Sequence, residues 1–191
     1  MITPSITTVI QAGGKGMRIG GNKGLKLLHG KALIDWVLDA IRPQSDEILI
    51  NANTNKSDYA SRGVGVIADL SPEYAGPLAG LQAALHSAQH EWVACVPCDT
   101  PFLPGNLITR LRSAITPTTE AVVAIADDQR QPTIALYRKS VLPKLDAYLD
   151  SGARKVGDWL HTLHVSEVVF ENAVAFANIN SLEELAVANR P

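Results

Sequence analysis

The chain has 191 residues, of which 46% are hydrophobic and 5% aromatic, and it carries a formal net charge of -2. This length suits one domain with an aliphatic core, the slight negative charge argues against broad nucleic-acid binding, and no apolar run approaches the ~20 residues that a membrane span needs. Because the first residues lack a basic segment followed by a long apolar run, we expect a cytoplasmic protein.

Apolar strands and amphipathic helices alternate along the chain. Residues 6–12 are rich in β-branched side chains and predict a first strand, which runs into a glycine-rich loop over 13–24. Apolar residues spaced as one helical stripe predict a helix over 32–41 that ends before Pro43. By the same criteria the first half holds strands at 47–52, 64–68 and 92–98, and a helix over 78–88 that Gly76 and Pro77 open.

The second half continues this alternation. It is predicted to contain helices over 104–115, 140–149 and 155–163, strands at 121–126, 133–137 and 165–170, and a last helix that begins at Ser181. Strands that alternate with helices indicate a mostly parallel sheet, and strands that are apolar throughout indicate that helices cover both of its faces. We therefore expect an α/β fold, a single Rossmann-like, doubly wound domain over residues 1–191.

Four of the predicted strands end in residues that suit ligand binding. Gly13 and Gly14 follow the first strand, Asn51 stands near the end of the second, Asp69 follows the third, and Asp99 follows the fourth. In doubly wound sheets, ligands bind beyond the carboxyl ends of the strands. The same residue types also form ordinary turns at strand ends, so position by itself leaves both interpretations open.

The loop after the first strand has the composition of a phosphate-binding segment. Residues 13–24 contain six glycines, and residues 13–31 contain no acid but five cations: Lys15, Arg18, Lys23, Lys26 and Lys31. Glycines let backbone N–H groups approach a ligand, and cations neutralise phosphate charge. Ile19 stands where a dinucleotide fingerprint needs glycine, and Asn22-Lys23-Gly24 replaces the Lys-Ser/Thr of a P-loop. The segment therefore favours phosphate binding of another type over a solvated surface loop.

Cys95 and Cys98 form a C-x-x-C pattern, which is also typical of zinc sites and redox pairs. Both lie in a predicted buried strand, where side chains alternate between faces, so residues three apart point in opposite directions. We expect two free core cysteines rather than a metal site or a disulfide.

Residues 11–23 resemble the Leu-Ala-Gly-Gly-x-Ser/Ala-x-Arg-Met-Gly-x-Asp-Lys signature of the molybdenum cofactor guanylyltransferases (MobA), which are nucleotidyltransferases with a nucleotide-diphospho-sugar transferase-like fold. Further matches follow in order at 51–53, at Asp69 with 74–80, and at 97–101, 131–136 and 176–180. Five positions depart from the pattern. In this chain Gln11 replaces the usual leucine, Gly16 the usual serine or alanine, and Ile19 the usual methionine. Asn22 replaces the usual aspartate, and Gln131 stands where histidine is often found.

The resemblance implies an enzyme that transfers GMP from GTP to molybdopterin, forms molybdopterin guanine dinucleotide and releases pyrophosphate. It implies Mg²⁺ as the cofactor, held by Asp99, and protein partners that supply the molybdenum cofactor or receive the product. Contacts with the nucleotide are implied for Gln11, Ala12, Gly13, Gly14, Lys15, Lys23, Asn51, Asp69 and Asp99.

In the implied reaction, the terminal phosphate of molybdopterin attacks the α-phosphorus of GTP. Such a displacement depends on positioning and charge neutralisation more than on a protein nucleophile. Arg18 and Lys23 would draw charge from the triphosphate, and Mg²⁺ on Asp99 would bridge phosphate oxygens. Asn178 and Asn180 either line the molybdopterin side of the cleft, as the resemblance implies, or fix the turn before the last helix.

The choice of GTP depends on the first turn. Its Gly-Gly form, Gly13-Gly14, is typical of the guanylyl-transferring branch, whereas cytidylyl-transferring relatives more often carry Ala-Ala-Gly. A cytidylyltransferase acting on molybdopterin and a sugar-phosphate nucleotidyltransferase of the same fold remain as alternatives. A nucleotide-binding module without turnover is opposed by Lys23 and Asp99, and a nicotinamide-dependent oxidoreductase by the failed dinucleotide spacing.

Overall fold

A computed structural model describes residues 3–14, 22–71 and 76–190. The strands in these ranges are Ile6–Gln11 (β1), Leu27–Leu28 (β2), Lys31–Ala32 (β3), Glu47–Asn51 (β4), Gly65–Ile67 (β5), Trp92–Pro97 (β6), Ala121–Ala126 (β7), Gln129–Arg138 (β8) and Val165–Phe170 (β9). The α-helices are Leu33–Ile41 (α1), Lys56–Ala60 (α2), Pro77–Ser87 (α3), Leu107–Ser113 (α4), Leu142–Asp150 (α5), Val156–Leu160 (α6) and Leu182–Ala188 (α7).

Seven strands form the central sheet in the order β5-β4-β1-β6-β8-β7-β9. Neighbours pair in parallel except around β8, which runs antiparallel to both β6 and β7. Six strands therefore end at the same edge of the sheet. The short strands β2 and β3 form a separate antiparallel hairpin. The predicted mostly parallel sheet is confirmed.

Helices pack on both faces of this sheet, as the apolar strands predict. The buried stripe of α1 and that of α4 pack against one face, together with side chains such as Ile10 and Val96. On the opposite face α3, α5 and α6 cover side chains such as Val9 and Val123. A small third cluster joins the β2–β3 hairpin to α7 through Leu28 and Leu185. None of the helices in the described ranges combines the length and apolarity needed to cross a membrane.

The strand β8 runs antiparallel to its neighbours and is longer than the sequence prediction, which has a strand over 133–137 and assigns it no direction. Asp127 and Asp128 connect β7 to β8, and both adopt positive φ angles, 52° and 54°. Two successive left-handed residues form the type of tight turn that folds a strand back on its neighbour, and aspartate tolerates this conformation. Ala126 consequently pairs with Gln129, and β8 begins four residues earlier than predicted.

Two further elements were not predicted from the sequence, namely the helix α2 and the hairpin β2–β3. Each is short, and its sequence contains neither a full helical stripe of apolar residues nor the alternation of a strand. The hairpin turns at His29 and Gly30, which both have positive φ angles. This hairpin closely follows the 3-10 turn at Lys23–Leu25, which lies at the end of the glycine-rich segment.

Candidate functional site

A cavity of about 330 Å³ lies at the edge where the parallel strands end. Gln11 pairs with Asn51 on one side and Pro97 on the other, so three strands stop at the same level. The cavity is lined by Gln11, Ala12, Gly13, Gly14, Lys23, Asn51, Asp69, Gly76, Pro77, Gly80, Pro97, Cys98, Asp99, Thr133 and Asn178. Its size falls in the range of small-molecule sites, roughly 300–1,000 Å³.

Lys23 and Asp99 form an ion pair in this cavity. Asp99 lies two residues beyond the end of β6 and is only 6% exposed, so its carboxylate depends on a partner of opposite charge. The Lys23 ammonium also donates to Asn180 Oδ1 at 2.6 Å. The Lys23 side chain thus joins the exit of the glycine-rich loop to the end of β6 and to the segment before α7.

The backbone around Lys23 explains how the lysine is placed. Asn22, which stands where the family usually has aspartate, adopts a left-handed conformation with φ 47° that asparagine tolerates. A Cβ at Gly24 would lie 3.0 Å from the Tyr59 hydroxyl oxygen and 3.3 Å from Cys98 Sγ. The absence of a side chain at Gly24 therefore lets this turn pack closely against the end of β6.

A second carboxylate, that of Asp69, lies beside the end of β4. Asn51 Nδ2 donates to Asp69 Oδ1 at 2.9 Å, and Asn53 Nδ2 donates to Asp69 Oδ2 at 2.8 Å. Asn51 is 2% exposed, and its backbone carbonyl accepts from Ala12 N at 2.8 Å. Asp69 is therefore held by neutral amides, in contrast to the ion pair at Asp99.

The first turn of α3 closes the cavity opposite these strands. Gly76 has a φ of 116°, a backbone conformation that residues other than glycine rarely adopt. Pro77 begins the helix as predicted. Gln11 Nε2 donates to the Pro77 carbonyl at 3.0 Å. A Cβ at Gly80 would lie 2.8 Å from Asn51 Oδ1, so glycine lets the helix approach the strand ends.

The segment 177–181 crosses the loop that carries Asp99. Ile179 N donates to the Asp99 carbonyl at 2.9 Å, and Thr100 Oγ1 donates to Asn178 Oδ1 at 2.7 Å. Ser181 caps α7 by accepting from Glu184 N at 3.1 Å, as its spacing predicts. Asn178 lines the cavity and Asn180 contacts Lys23, while both also belong to the turn before α7. The geometry is compatible with both interpretations of these asparagines.

The two cysteines are free and buried, as expected. Cys95 packs with the cluster on one face of the sheet and Cys98 with the cluster on the other, so the predicted divergence of their side chains is confirmed. Burial raises the pKa of both thiols to about 12, and the neighbouring Asp99 carboxylate adds to the effect at Cys98. Neutral thiols are poor nucleophiles, so a covalent role for Cys98 in the cavity is disfavoured.

Most residues predicted from the sequence meet in this one cavity: Gln11, Ala12, Gly13, Gly14, Lys23, Asn51, Asp69 and Asp99. Lys15 and Arg18, predicted to bind phosphate, lie outside the described residues. Sequence reasoning assigned no role to Asn53, Gly80, Thr100 and Thr133. All four stand in segments that match the family pattern, but only the folded chain brings them to the other site residues.

Comparisons with known proteins agree with this arrangement. A family model of the MobA-like NTP transferase domain matches residues 8–165. A protein from Cupriavidus metallidurans named molybdenum cofactor guanylyltransferase is 45% identical over 188 residues, covering 94% of this chain and 92% of that protein. A protein of the same name from Vibrio vulnificus is 42% identical and covers 97% of this chain and 96% of its own.

Solved structures extend the similarity to the fold. The crystal structure of molybdopterin-guanine dinucleotide biosynthesis protein A from Archaeoglobus fulgidus matches with a TM-score of 0.80 at 26% identity, covering 96% of both chains. The family model spans the strand ends that carry Gln11, Asn51, Asp69 and Asp99, and the relatives span almost the whole chain. The chain belongs to the MobA-like NTP transferase family.

Proposed function

We propose that the protein transfers GMP from GTP to molybdopterin, releases pyrophosphate and uses Mg²⁺. The observation that carries this proposal is the single cavity in which Lys23, Asp99, Asn51 and Asp69 meet, in a chain whose relatives are named molybdenum cofactor guanylyltransferase. The cavity lies where ligands bind in doubly wound sheets.

The nucleotide would occupy the cavity with its base and ribose at one set of residues and its phosphates at another, chemically different set. Asp69 is an acceptor and repels phosphate, so it suits the N–H or O–H groups of the base or ribose. Lys23 is a donor with a positive charge and suits the phosphates. Lys15 and Arg18, for which phosphate contacts are also proposed, precede Lys23 in the glycine-rich loop. The nucleotide would therefore extend from its base and ribose at Asn51 and Asp69 to its triphosphate at Lys23 and Asp99.

Lys23 would neutralise charge on the triphosphate while pyrophosphate leaves. An ammonium aimed at developing phosphate charge lowers the barrier without a covalent intermediate. To do so, Lys23 must redirect its ammonium from Asp99 and Asn180 to the nucleotide. Because Asp99 is nearly buried, it would need the proposed Mg²⁺ as its cation when Lys23 moves to the nucleotide.

Asp99 fits the proposed metal. A carboxylate oxygen is a hard ligand, and Mg²⁺ in nucleotide sites commonly takes one or two carboxylates with substrate phosphates and water as its other ligands. Asp99 is nearly buried and holds a cation, the Lys23 ammonium. Among the described residues, no group of three or more acidic, histidine or cysteine side chains could hold a metal by itself. When bound, Mg²⁺ would supply positive charge that stabilises the negative charge on phosphate oxygens.

The molybdopterin side of the reaction would lie near Asn178 and Asn180. Asn178 lines the cavity and is bonded to Thr100, one residue beyond Asp99. Asn180 accepts from Lys23, so its carbonyl becomes free when the lysine moves to a nucleotide. These asparagines would orient the attacking phosphate beside the α-phosphate of GTP.

The first experiment is thermal unfolding with Mg²⁺ and, separately, GTP, CTP, ATP or NAD. A ligand at about 100 times its dissociation constant adds about 2.7 kcal/mol, which raises Tm by roughly 5–11 °C for a domain of this size. We expect a rise with GTP alone, followed by pyrophosphate release when molybdopterin is added. A rise with CTP alone would replace guanylyl by cytidylyl transfer, and GTP binding without pyrophosphate release would contradict the transferase proposal.

A further inference from the structure

Asn53 bonds Asp69 at two points. Its amide nitrogen Nδ2 donates to Asp69 Oδ2 at 2.8 Å, while its amide oxygen Oδ1 accepts from Asp69 N at 3.0 Å. One bond holds the Asp69 backbone and the other holds its carboxylate. Asn51 completes the arrangement through Asp69 Oδ1, so both carboxylate oxygens have an amide donor.

Asn53 also contacts the start of the glycine-rich loop. Its Nδ2 lies 3.5 Å from the Gly13 carbonyl oxygen, and a Cβ at Gly13 would lie 3.1 Å from the same nitrogen. Gly13 and Asp69 line the cavity, whereas Asn53 is not among its lining residues. Asn53 therefore connects two walls of the cavity without occupying it.

We propose that Asn53 is a positioning residue that orients the Asp69 carboxylate towards the nucleotide. An ionised carboxylate has about four acceptor sites, and the two amides use one on each oxygen. The remaining sites face N–H or O–H groups of the base or ribose. Because both amides are neutral, Asp69 keeps its full negative charge for this contact. This inference rests on the proposed GTP binding at Asp69.

The test measures the GTP dissociation constant of the full chain with Mg²⁺ by calorimetry. Asn53→Ala removes both bonds, and loss of a hydrogen bond to a charged group predicts roughly ten-fold weaker binding. Asn53→Asp keeps an oxygen that accepts from Asp69 N but replaces the donor by a second negative charge. We expect it to bind GTP at least as weakly as Asn53→Ala, because two carboxylates repel each other.

Asn53→Asp also separates positioning from a merely structural role. If Asn53 only held the backbone, this variant, which keeps the bond from Asp69 N, would weaken GTP binding less than Asn53→Ala does. A second control is Asn55→Gly. Asn55 lies in the same loop as Asn53, its side chain donates to Asp58 in α2 at 3.2 Å, and neither Asn55 nor Asp58 lines the cavity. Glycine retains the left-handed backbone of Asn55, whose φ is 52°. Its GTP affinity should stay within about two-fold of the wild type.

A double-mutant cycle decides whether Asn53 acts through Asp69. Asn53→Ala should cause no further loss in an Asp69→Ala background. An equal loss in both backgrounds, or normal affinity in both Asn53 variants, would overturn the inference while leaving GTP binding intact. A wild-type chain that binds no GTP would instead overturn the proposed function, and this inference with it.

Discussion

The cavity contains two carboxylates that are held in different ways. Asp99 pairs with the Lys23 ammonium, whereas Asp69 accepts hydrogen bonds from the amides of Asn51 and Asn53. Asp99 lies at the end of β6 and Asp69 just beyond β5, so the same sheet edge presents both. Their surroundings, rather than their residue type, distinguish them.

The difference predicts which part of the site rearranges on binding. The Lys23–Asp99 pair is neutral overall, and each member can exchange its partner for a phosphate or a metal ion. The described partners of the Asp69 carboxylate are neutral amides, so its charge remains available while its geometry is fixed. We call Lys23 and Asp99 the Lys23 half of the site, and Asp69 with Asn51 and Asn53 the Asp69 half. We expect the Lys23 half to rearrange on binding and to govern turnover. The Asp69 half should stay in place and govern nucleotide affinity.

Lys23→Ala should have the largest effect. Removing a donor aimed at developing charge costs about 10²–10³ in rate, and this variant also leaves the buried Asp99 carboxylate without its cation. The measurement is the turnover number for pyrophosphate release at saturating GTP. Lys31→Ala is a matched control, because Lys31 pairs with Asp39 and is not among the cavity residues. Near-normal turnover in Lys23→Ala would contradict the assigned role.

Asp99→Asn and Asp69→Asn test the contrast directly. Asp99→Asn should lower turnover by about 10² and abolish the response to added Mg²⁺, because an amide oxygen is a weaker ligand for a hard cation. Asp69→Asn should instead raise the GTP dissociation constant roughly ten-fold and leave the Mg²⁺ response unchanged. Turnover measured over a range of Mg²⁺ and GTP concentrations separates these effects. Identical profiles for the two variants would remove the distinction between the two carboxylates.

Gly80→Ala should perturb the Asp69 half alone. The added Cβ would lie 2.8 Å from Asn51 Oδ1 and 3.2 Å from Gln11 Nε2, so both side chains must shift. We expect GTP affinity to fall roughly ten-fold, which calorimetry measures, with little loss of turnover at saturation. Gly157→Ala is the matched control in α6, where no atom lies within 4 Å of the added Cβ. It should keep normal affinity and raise Tm by ~2–4 °C.

The smallest expected effect concerns stability at alkaline pH. Burial raises the pKa of the Cys95 thiol from 9.0 to about 12, so the unfolded chain loses this proton first as pH rises. The contribution of the thiol to stability is complete below about pH 9 and is lost as pH rises towards about 12. Denaturant unfolding at pH 8 and pH 10 should therefore show a smaller decline for Cys95→Ala than for the wild type. Equal declines would refute the raised pKa.

Much of the fold could be predicted because strong local patterns coincide with buried elements. The bounds of β7 and β9 agree with the prediction, and the predicted helix over 32–41 differs from α1 by one residue. The direction of β8 could not be predicted from strand and helix alternation. It depends on a two-residue turn at Asp127 and Asp128, whose left-handed conformation no apolar pattern encodes.

The site shows the same division. Gly13, Gly14, Asn51, Asp69 and Asp99 could be proposed from their positions at strand ends, since parallel strands bring their carboxyl ends to one edge. Gln11 was implied by the family resemblance. Asn53 follows Asn51 by two residues but received no role, because its partner Asp69 is 16 residues away and only side-chain geometry links them. The predicted roles of Lys15 and Arg18 remain predictions, as both lie outside the described residues.

By itself, the sequence determined the α/β class, most strand and helix positions and many of the residues that line the site, because hydrophobic periodicity and strand-end residues are local properties. Only the tertiary structure decided which of these residues are partners. Lys23 contacts Asn180 across 157 positions of the chain, and Asp69 is held by amides instead of a cation. Such pairings depend on how the segments pack around the sheet edge, and no local pattern records that packing.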